Sequence, residues 1–374
     1  MRALWPLARH SAARANGLMA DVPRVAVLGA GAMGAALAVH NARNGANSVL
    51  LATDHDEAVF DAWQRGLPHP ALQMPFHHNV RCYPPQQWAD VLPAAKIVFV
   101  AVSSAGLERV LSQVLGIGAT DAIWVLATKG WAQDTLQTPS QVAATVLGDV
   151  PVVSLAGPAL ATEILAGSPT GLLCASSDPQ ARRCAAAALA SATTAVFTTS
   201  DVAGAETAAA FKNVVAVAVG LAEGLSDRLV ESPQAASYAN ARAAVFARGM
   251  LDMVALVEAQ GGRAATVLGL AGAGDLYVTC QHGRNGRFGR LLGSGATVEG
   301  AIRSIGSTVE GVPNTAAALR LAARSRLDLP TARVVELALR ENLTGERVSD
   351  RLRDLFLTVV SGSRPPAVPS VPGH

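Results

Sequence analysis

Short apolar runs alternate with longer helical stretches over roughly the first half of the chain. Five of these runs have the composition of buried strands: Val25–Leu28, Ser48–Ala52, Lys96–Val102, Ala122–Ala127 and Val152–Leu155. Strands that alternate with helices form βαβ units, in which the strands lie parallel. The pattern predicts an α/β fold that begins with a doubly wound (Rossmann), mostly parallel sheet.

The pattern becomes helical after two further strand candidates. Thr170–Ala175 and Ala195–Thr199 have strand composition, and we leave open whether they run antiparallel to the others. From Glu206 onward the chain has helical character. Val214–Ala222 contains no polar side chain, which is typical of a helix buried on all sides, and Ala241–Glu258 is a second long, mainly apolar helix.

This change of pattern predicts two domains. The chain has 374 residues, 50% of them hydrophobic, and a core of that size usually divides. We predict an α/β domain over residues 23–200 and an all-helical domain over 201–362. The last twelve residues, 363–374, contain four prolines and are expected to form a mobile tail.

The first 22 residues are rich in alanine and arginine and contain no acid before Asp21. This composition resembles a transit peptide, but no amphipathic period accompanies it. Met19 lies just before the first strand. We therefore prefer to interpret residues 1–22 as an extension that is disordered or that reflects a misassigned start codon.

Composition argues against several classes of function. The net charge of +2 gives no support for nucleic-acid or membrane-surface binding. No polar-free run approaches the roughly 18 residues that a membrane span requires. The four cysteines and eight histidines show no metal-ligand spacing. We expect no metal, no membrane span, and reduced thiols in a cytoplasmic protein.

A glycine motif follows the first strand. Gly29, Gly31 and Gly34 form the pattern G-x-G-x-x-G, and an alanine-rich helix begins there. The first glycine permits a tight turn, the second lets the backbone approach a pyrophosphate, and the third lets helix and strand pack closely. The helix N-terminus would attract the anion. The motif predicts dinucleotide binding, with an ordinary glycine turn as the alternative.

Asp54 follows the second strand and stands 20 residues after Gly34. A carboxylate at this position commonly accepts hydrogen bonds from an adenosine ribose and would repel the 2′-phosphate of NADP. No arginine lies nearby in the sequence, and His55 is the one candidate cation. We therefore expect NAD(H) to be favoured, unless Thr53 or Asp56 occupies the position instead.

Two lysines are candidates for chemistry. Lys212 lies two residues before the apolar run Val214–Ala222. Burial there would lower the pKa of its ammonium and suit it to proton transfer. Lys129 follows a predicted strand and could meet a phosphate or a developing oxyanion at the edge of the sheet. The alternative for each is an ordinary solvated lysine.

The segment Gly269–Gly289 is unusually rich in glycine around four polar residues. Asp275 could orient a lysine, and Arg284 has the rigid fork that suits a phosphate group. Thr279 and Asn285 lie close to them in the sequence. The alternative is a glycine-rich turn between helices with a solvated arginine.

Seven motifs in this order make the chain resemble the NAD(P)-dependent glycerol-3-phosphate dehydrogenase family between about Arg24 and Leu357. They are GAGAMG, ATKG, AGPALATE, FKNV, NARAAVFARG, GLAGAGDLYVTC with GRNGRFG, and STVEGV. The resemblance implies hydride transfer between NAD(P)H and C2 of dihydroxyacetone phosphate, giving sn-glycerol 3-phosphate for phospholipid synthesis. Whether the chain forms a homodimer stays open.

The resemblance makes residues 23–200 the dinucleotide-binding domain and residues 201–362 the helical substrate domain, and it also implies site residues. It makes Lys212 the general acid/base at the C2 oxygen of the substrate. The implied substrate-binding residues are Lys129, Gly157, Ala159, Lys212, Asp275, Thr279, Arg284 and Asn285. The implied cofactor-binding residues are Gly29, Gly31, Ala32, Met33, Gly34, Asp54, Lys129, Ala161, Arg284 and Glu310.

Three positions depart from the usual bacterial pattern: Met33, Gly283 and Ala159. Ala159 lacks the polar side chain that many relatives carry after the proline of G-P-x-x-A. A dehydrogenase of the same fold that acts on another phosphorylated or phosphonate alcohol is therefore an alternative. A non-catalytic dinucleotide sensor is a weaker one, because a sensor would need the glycine motif but not Lys129, Lys212, Asp275 and Arg284.

Overall fold

The computed structural model describes residues 24–118, 121–228 and 239–341, together with 357 and 359. The expectations for residues 1–22 and 363–374 lie outside this part of the chain. The described residues form one eight-stranded sheet with the order β3-β2-β1-β4-β5-β6-β7-β8. The strands are β1 Arg24–Leu28, β2 Asn47–Leu51, β3 Arg81–Tyr83, β4 Ile97–Val100, β5 Ile123–Leu126, β6 Val152–Ala156, β7 Thr170–Ala175 and β8 Thr194–Thr199.

The sheet confirms the predicted doubly wound topology. Strands β1 to β6 run parallel, whereas β7 is antiparallel to β6 and β8 is parallel to β7. The final two strands therefore run opposite to the other six. The short edge strand β3 lies in the proline-containing segment of residues 64–90, where no strand was predicted. A three-residue strand carries too little periodicity to be recognised.

Seven helices cover the two faces of the sheet. One apolar cluster joins the sheet to α1, α2, α6 and α7, and a second joins the opposite face to α3, α4 and α5. These helices are α1 Ala32–Arg43, α2 Glu57–Gln64, α3 Trp88–Val91, α4 Ser104–Leu115, α5 Pro139–Leu147, α6 Ala161–Ala166 and α7 Pro179–Leu189. Short 3₁₀ turns at Pro85–Gln87 and Leu92–Ala94 flank α3.

The described residues beyond β8 are helical, as predicted, and the change falls between Thr199 and Val202. The helices are α8 Val202–Arg228, α9 Ala239–Ala259, α10 Ala264–Val267, α11 Asp275–His282, α12 Arg284–Gly293, α13 Val298–Ile305, α14 Gly311–Ser325 and α15 Pro330–Glu341. Helix α8 packs against α9, α11, α12, α14 and α15. Every residue from Val214 to Ala222 is buried, so this run is the centre of the helical core.

Within the described ranges, α8 is the one helix long and apolar enough to cross a membrane by length and composition. Its window has a mean hydropathy of 1.5, but 94% of that window is buried inside the fold. Its apolar surface is therefore already covered by protein, as in the core helix of a folded domain.

Glu206 attaches α8 to the sheet. Its carboxylate accepts hydrogen bonds from the backbone N–H and hydroxyl of Ser140 at 2.8 and 2.6 Å, and from the hydroxyl of Ser154 at 2.6 Å. Ser140 lies in the first turn of α5 and Ser154 lies on β6. These three bonds satisfy a buried carboxylate, and they place the start of α8 against the sheet.

Candidate active site

The glycine-rich loop, Gly29–Gly34, connects β1 to α1 at the point where the strand order reverses between β1 and β4. Gly29 has φ +96°, a conformation that L side chains rarely adopt. A Cβ at Gly34 would lie 1.8 Å from the carbonyl oxygen of Gly29. Near Gly31, in contrast, a Cβ would meet no atom within 4 Å. The backbone at Gly31 is therefore open on the side from which a pyrophosphate could approach.

The start of α1 has the chemistry that a dinucleotide phosphate requires. The first N–H groups of a helix have no partner within the helix and carry partial positive charge. Here they belong to a first turn that begins with Ala32 and Met33, and the side chain of Met33 packs against the core of this face. Ala161, the first residue of α6, also packs against that core. The loop fits an NAD(P) pyrophosphate.

Asp54 is not the isolated charge that the local sequence suggests. Its Oδ2 accepts hydrogen bonds from Nη1 of Arg109 at 3.1 Å and Nε2 of Gln113 at 3.2 Å, both on α4. The expectation that His55 is the one nearby cation is therefore wrong. Arg109 lies 55 residues away in the sequence, and the packing of α4 brings it to Asp54.

Lys212 lies at the centre of a buried polar cluster. Its Nζ donates to Oδ1 of Asp275 at 3.0 Å and to the hydroxyl of Thr279 at 2.6 Å. Thr279 in turn donates to the carbonyl of Asp275 at 2.7 Å. An ammonium has three N–H donors. Two are engaged within the described part of the chain, so the third is available for a substrate oxygen.

Lys129 completes the cluster from the sheet. Its Nζ donates to Oδ2 of Asp275 at 2.6 Å and to the carbonyl of Gly157 at 3.3 Å. The Lys129 side chain is 21% exposed, whereas that of Lys212 is 8% exposed and that of Asp275 is 3% exposed. One buried carboxylate therefore holds two lysines, of which Lys129 is the more accessible to solvent.

The cluster changes the acidity of its members. Burial lowers the pKa of Lys212, Asp275 raises it and the charge of Lys129 lowers it, and together these effects leave the pKa at about 8. Burial alone would raise the pKa of Asp275, but the two ammonium groups hold it below its ordinary value. Lys212 can therefore exchange a proton near neutral pH, while Asp275 remains a carboxylate.

Local backbone structure delivers Asp275 to the two lysines. A π-helical turn, Leu270–Gly274, ends directly before Asp275, which begins α11. The glycines of this turn allow close packing, since a Cβ at Gly272 would lie 2.1 Å from the carbonyl oxygen of Val267. Such turns occur often at functional sites because they shift the register of the following helix.

Arg284 begins α12, and its side chain is exposed. No hydrogen bond or ion pair to another described residue engages its guanidinium, which leaves the fork free for an anion. Asn285, in contrast, is buried and makes two hydrogen bonds. Its Nδ2 donates to Oδ1 of Asn213 at 2.9 Å, and its Oδ1 accepts from the backbone N–H of Gly311 at 2.8 Å. Asn285 therefore ties α12 to α8 and α14 beside the lysine cluster.

Glu310 and Ser104 meet between the helical region and the sheet. The Ser104 hydroxyl donates to Oε2 of Glu310 at 3.0 Å. Burial raises the pKa of Glu310, with the Ser104 hydrogen bond opposing the shift. No sequence pattern indicated this contact, because the two residues are separated by 206 positions along the chain.

Gly157 and Ala159 follow β6. Gly157 has φ +105° and supplies the carbonyl that Lys129 contacts. Ala159 is partly buried against apolar neighbours and offers no polar atom beyond its backbone. The structure thus brings together Lys129, Gly157, Lys212, Asp275 and Thr279 by direct contact. The substrate and cofactor roles assigned to the site residues stay predictions.

Among the described residues, no group of three or more His, Cys, Asp or Glu side chains is arranged to hold a metal ion. The groups that the cluster does present are two ammonium ions, one carboxylate and one hydroxyl. This set can donate and accept protons at a bound oxygen.

Two family models cover most of the chain. The model for the N-terminus of NAD-dependent glycerol-3-phosphate dehydrogenase matches residues 24–182, and the model for its C-terminus matches residues 201–350. Glycerol-3-phosphate dehydrogenase [NAD(P)+] of Shewanella halifaxensis is 36% identical over 323 residues, which cover 83% of this chain and 90% of that protein. The enzyme of the same name from Aeromonas salmonicida is 36% identical over 318 residues, covering 83% and 91%.

A solved structure agrees with the sequence relatives. The crystal structure of glycerol-3-phosphate dehydrogenase from Coxiella burnetii superposes with a TM-score of 0.79 at 31% identity, covering 89% of this chain and 99% of that one. The enzyme from Saccharomyces cerevisiae shares the fold with a TM-score of 0.71 at 21% identity. Matching models, relatives and architecture confirm the resemblance drawn from the motifs, and the chain belongs to the NAD-dependent glycerol-3-phosphate dehydrogenase family.

Proposed function

We propose that the protein reversibly transfers a hydride between NAD(P)H and C2 of dihydroxyacetone phosphate, with sn-glycerol 3-phosphate as the alcohol. The observation that carries the proposal is the contact of Lys212 and Lys129 with one buried carboxylate, Asp275, beside the carboxyl edge of a dinucleotide-type sheet. The names of the relatives support the same reaction.

In the direction of reduction, NAD(P)H would supply the hydride to C2 when bound, and this chain would supply the proton. Lys212 donates from Nζ to the C2 oxygen as negative charge develops there, and its lowered pKa makes that transfer easier. Asp275 and Thr279 hold Nζ in place through the contacts at 3.0 and 2.6 Å. In oxidation, neutral Lys212 accepts the proton from the C2 hydroxyl.

The remaining site residues would bind and orient the substrate and the cofactor. The guanidinium of Arg284, which makes no hydrogen bond or ion pair to the residues that the structure describes, would take the substrate phosphate through two parallel charge-assisted hydrogen bonds. Lys129 adds a second positive charge near the reacting oxygen and shares Asp275 with Lys212. Glu310, bonded to Ser104, would approach the cofactor from the helical side.

Ala159 motivates a second candidate, a dehydrogenase for another phosphorylated or phosphonate alcohol. A polar side chain at this position would add roughly 1 kcal/mol per hydrogen bond to substrate, and alanine cannot supply it. A substrate that places a smaller or less polar group beside Ala159 would lose no binding free energy from the missing hydrogen bond.

The test is oxidation of NADH and NADPH by the purified protein, with a panel of phosphorylated and phosphonate ketones. The highest kcat/KM is expected for dihydroxyacetone phosphate. A higher value for another ketone would move the assignment to the second candidate. Tight dinucleotide binding without turnover on any ketone would favour the sensor interpretation.

We further propose that the enzyme works in the cytoplasm and supplies a phospholipid precursor. All four cysteines are free thiols in the structure, which is in keeping with a reducing compartment. A homodimer stays a prediction that light scattering of the purified protein would test.

A further inference from the structure

His69 is a buried histidine in the proline-rich segment between α2 and β3, only 2% exposed, and both of its ring nitrogens are engaged. Nδ1 accepts from the backbone N–H groups of Ala71 and Leu72 at 3.1 and 3.3 Å. Nε2 lies 2.9 Å from the carbonyl oxygen of Ala30. Because a backbone N–H can only donate, Nδ1 carries no proton. The neutral ring therefore carries its proton on Nε2 and donates it to Ala30.

Ala30 is the second residue of the glycine-rich loop, and the peptide group on its N-terminal side is also held by a hydrogen bond. Its N–H donates to Oδ2 of Asp56 at 3.0 Å. The same oxygen accepts from the backbone N–H and the hydroxyl of Thr53 at 2.9 and 2.7 Å. The loop is thus held on one side by Asp56, after β2, and on the other by His69.

Holding the Ala30 carbonyl also orients the next N–H. A trans peptide is planar, so its carbonyl and its N–H point in opposite directions. With the carbonyl directed at His69, the N–H of Gly31 is directed away from His69. Gly31 precedes α1, and the space where its Cβ would stand is open.

We propose that His69 is a positioning residue for the dinucleotide. By donating from Nε2 to the Ala30 carbonyl, it holds the glycine-rich loop in the conformation that receives the pyrophosphate. It does not touch the cofactor and acts through Ala30. A loop that is ordered before binding saves the cost of ordering it on binding. The inference rests on the proposed function only in requiring that the chain binds a nicotinamide dinucleotide.

Two substitutions separate this role from a local structural one. The amide nitrogen of His69→Gln reaches about as far as Nε2 and can still donate to Ala30. The amide oxygen of His69→Asn is placed like Nδ1 and can still accept from Ala71 and Leu72, but this side chain cannot reach Ala30. His78→Asn, at an exposed histidine of the same segment, is the control.

The measurement is the Kd of NADH by isothermal titration calorimetry without substrate, with Tm and steady-state kinetics alongside. His69→Asn should weaken NADH binding about 3- to 10-fold, the factor that one neutral hydrogen bond is worth. Its KM for NADH should rise by the same factor with kcat within about twofold. His69→Gln and His78→Asn should both bind NADH as the unchanged protein does.

If His69 only stabilises its own segment, the order of the two variants in NADH binding should be reversed. His69→Asn should then bind NADH as the unchanged protein does, and His69→Gln should bind it more weakly. That result would overturn the proposal. If His69→Asn does not fold, His69→Gln decides alone: unchanged NADH binding supports the role, and a loss matching one hydrogen bond contradicts it. Since the Kd is measured without substrate, failure of the dihydroxyacetone phosphate assay would leave this inference standing. Failure of the unchanged protein to bind NADH would remove both.

Discussion

Lys212 Nζ lies 3.0 Å from Oδ1 of Asp275, and both side chains are almost fully buried. Burial lowers the pKa of the ammonium, while the carboxylate raises it, and the balance leaves it at about 8. Removing Asp275 would leave a buried charge without its main counter-charge, which is costly. This pair therefore adjusts the acidity of Lys212 and also keeps it in position.

Lys212→Ala should lower kcat by at least about 100-fold, because a positioned general acid contributes roughly 100- to 10,000-fold. NADH binding by calorimetry and Tm should show that the variant is folded and loaded. Lys96→Ala, at an exposed lysine before β4, is the matched control and should retain full turnover. Near-normal turnover of Lys212→Ala would remove the general acid assignment.

The pH profile should report the lowered pKa of Lys212. Reduction needs the protonated amine, so its kcat/KM should fall as the pH rises through about 8, whereas oxidation needs the neutral amine and should rise over the same range. Asp275→Asn removes the charge that raises this pKa, so the inflection should move to lower pH. An inflection that stays in place in Asp275→Asn would mean that another group titrates.

Arg284→Ala should raise KM for dihydroxyacetone phosphate far more than for unphosphorylated dihydroxyacetone. Only the phosphorylated ketone loses a charge-assisted contact, which is worth roughly 1.5–3 kcal/mol, or more than tenfold in KM. Arg287→Ala, at an exposed arginine on the same helix, is the control and should leave both values near those of the unchanged enzyme. Equal effects of Arg284→Ala on the two ketones would exclude phosphate recognition.

Cofactor choice should depend on Asp54 and Arg109 together. We expect Asp54 to favour NADH, but its side chain is 48% exposed and paired with Arg109, so solvent and the guanidinium would both weaken its repulsion of a 2′-phosphate. Exposed ion pairs are worth roughly 0.2–1 kcal/mol, so the expected preference for NADH over NADPH is a few-fold.

Two variants test this arrangement in opposite directions. Arg109→Ala should increase the ratio of kcat/KM for NADH to that for NADPH, and Asp54→Asn should decrease it. Arg303→Ala, at an exposed arginine on α13, should leave the ratio unchanged. If Arg109→Ala leaves the ratio unchanged, the adenosine ribose does not bind beside Asp54 and Arg109.

The amino-acid sequence by itself determined the features that depend on neighbours along the chain. The apolar runs specified seven of the eight strands in the described sheet, since a run such as Ile97–Val100 is buried on both faces of a parallel sheet. The spacing of Gly29, Gly31 and Gly34 specified the turn, in which Gly29 has φ +96° and a Cβ at Gly34 would lie 1.8 Å from the carbonyl oxygen of Gly29. The absence of polar side chains over Val214–Ala222 specified a core helix.

Only the tertiary structure decided which distant residues meet. Lys129 and Asp275 are separated by 146 residues, Arg109 and Asp54 by 55, and His69 and Ala30 by 39. No periodicity encodes such contacts, because they depend on the order of strands in the sheet and on the packing of helices against it. The same packing excludes water from Lys212, and that loss of hydration brings its pKa close to neutral pH.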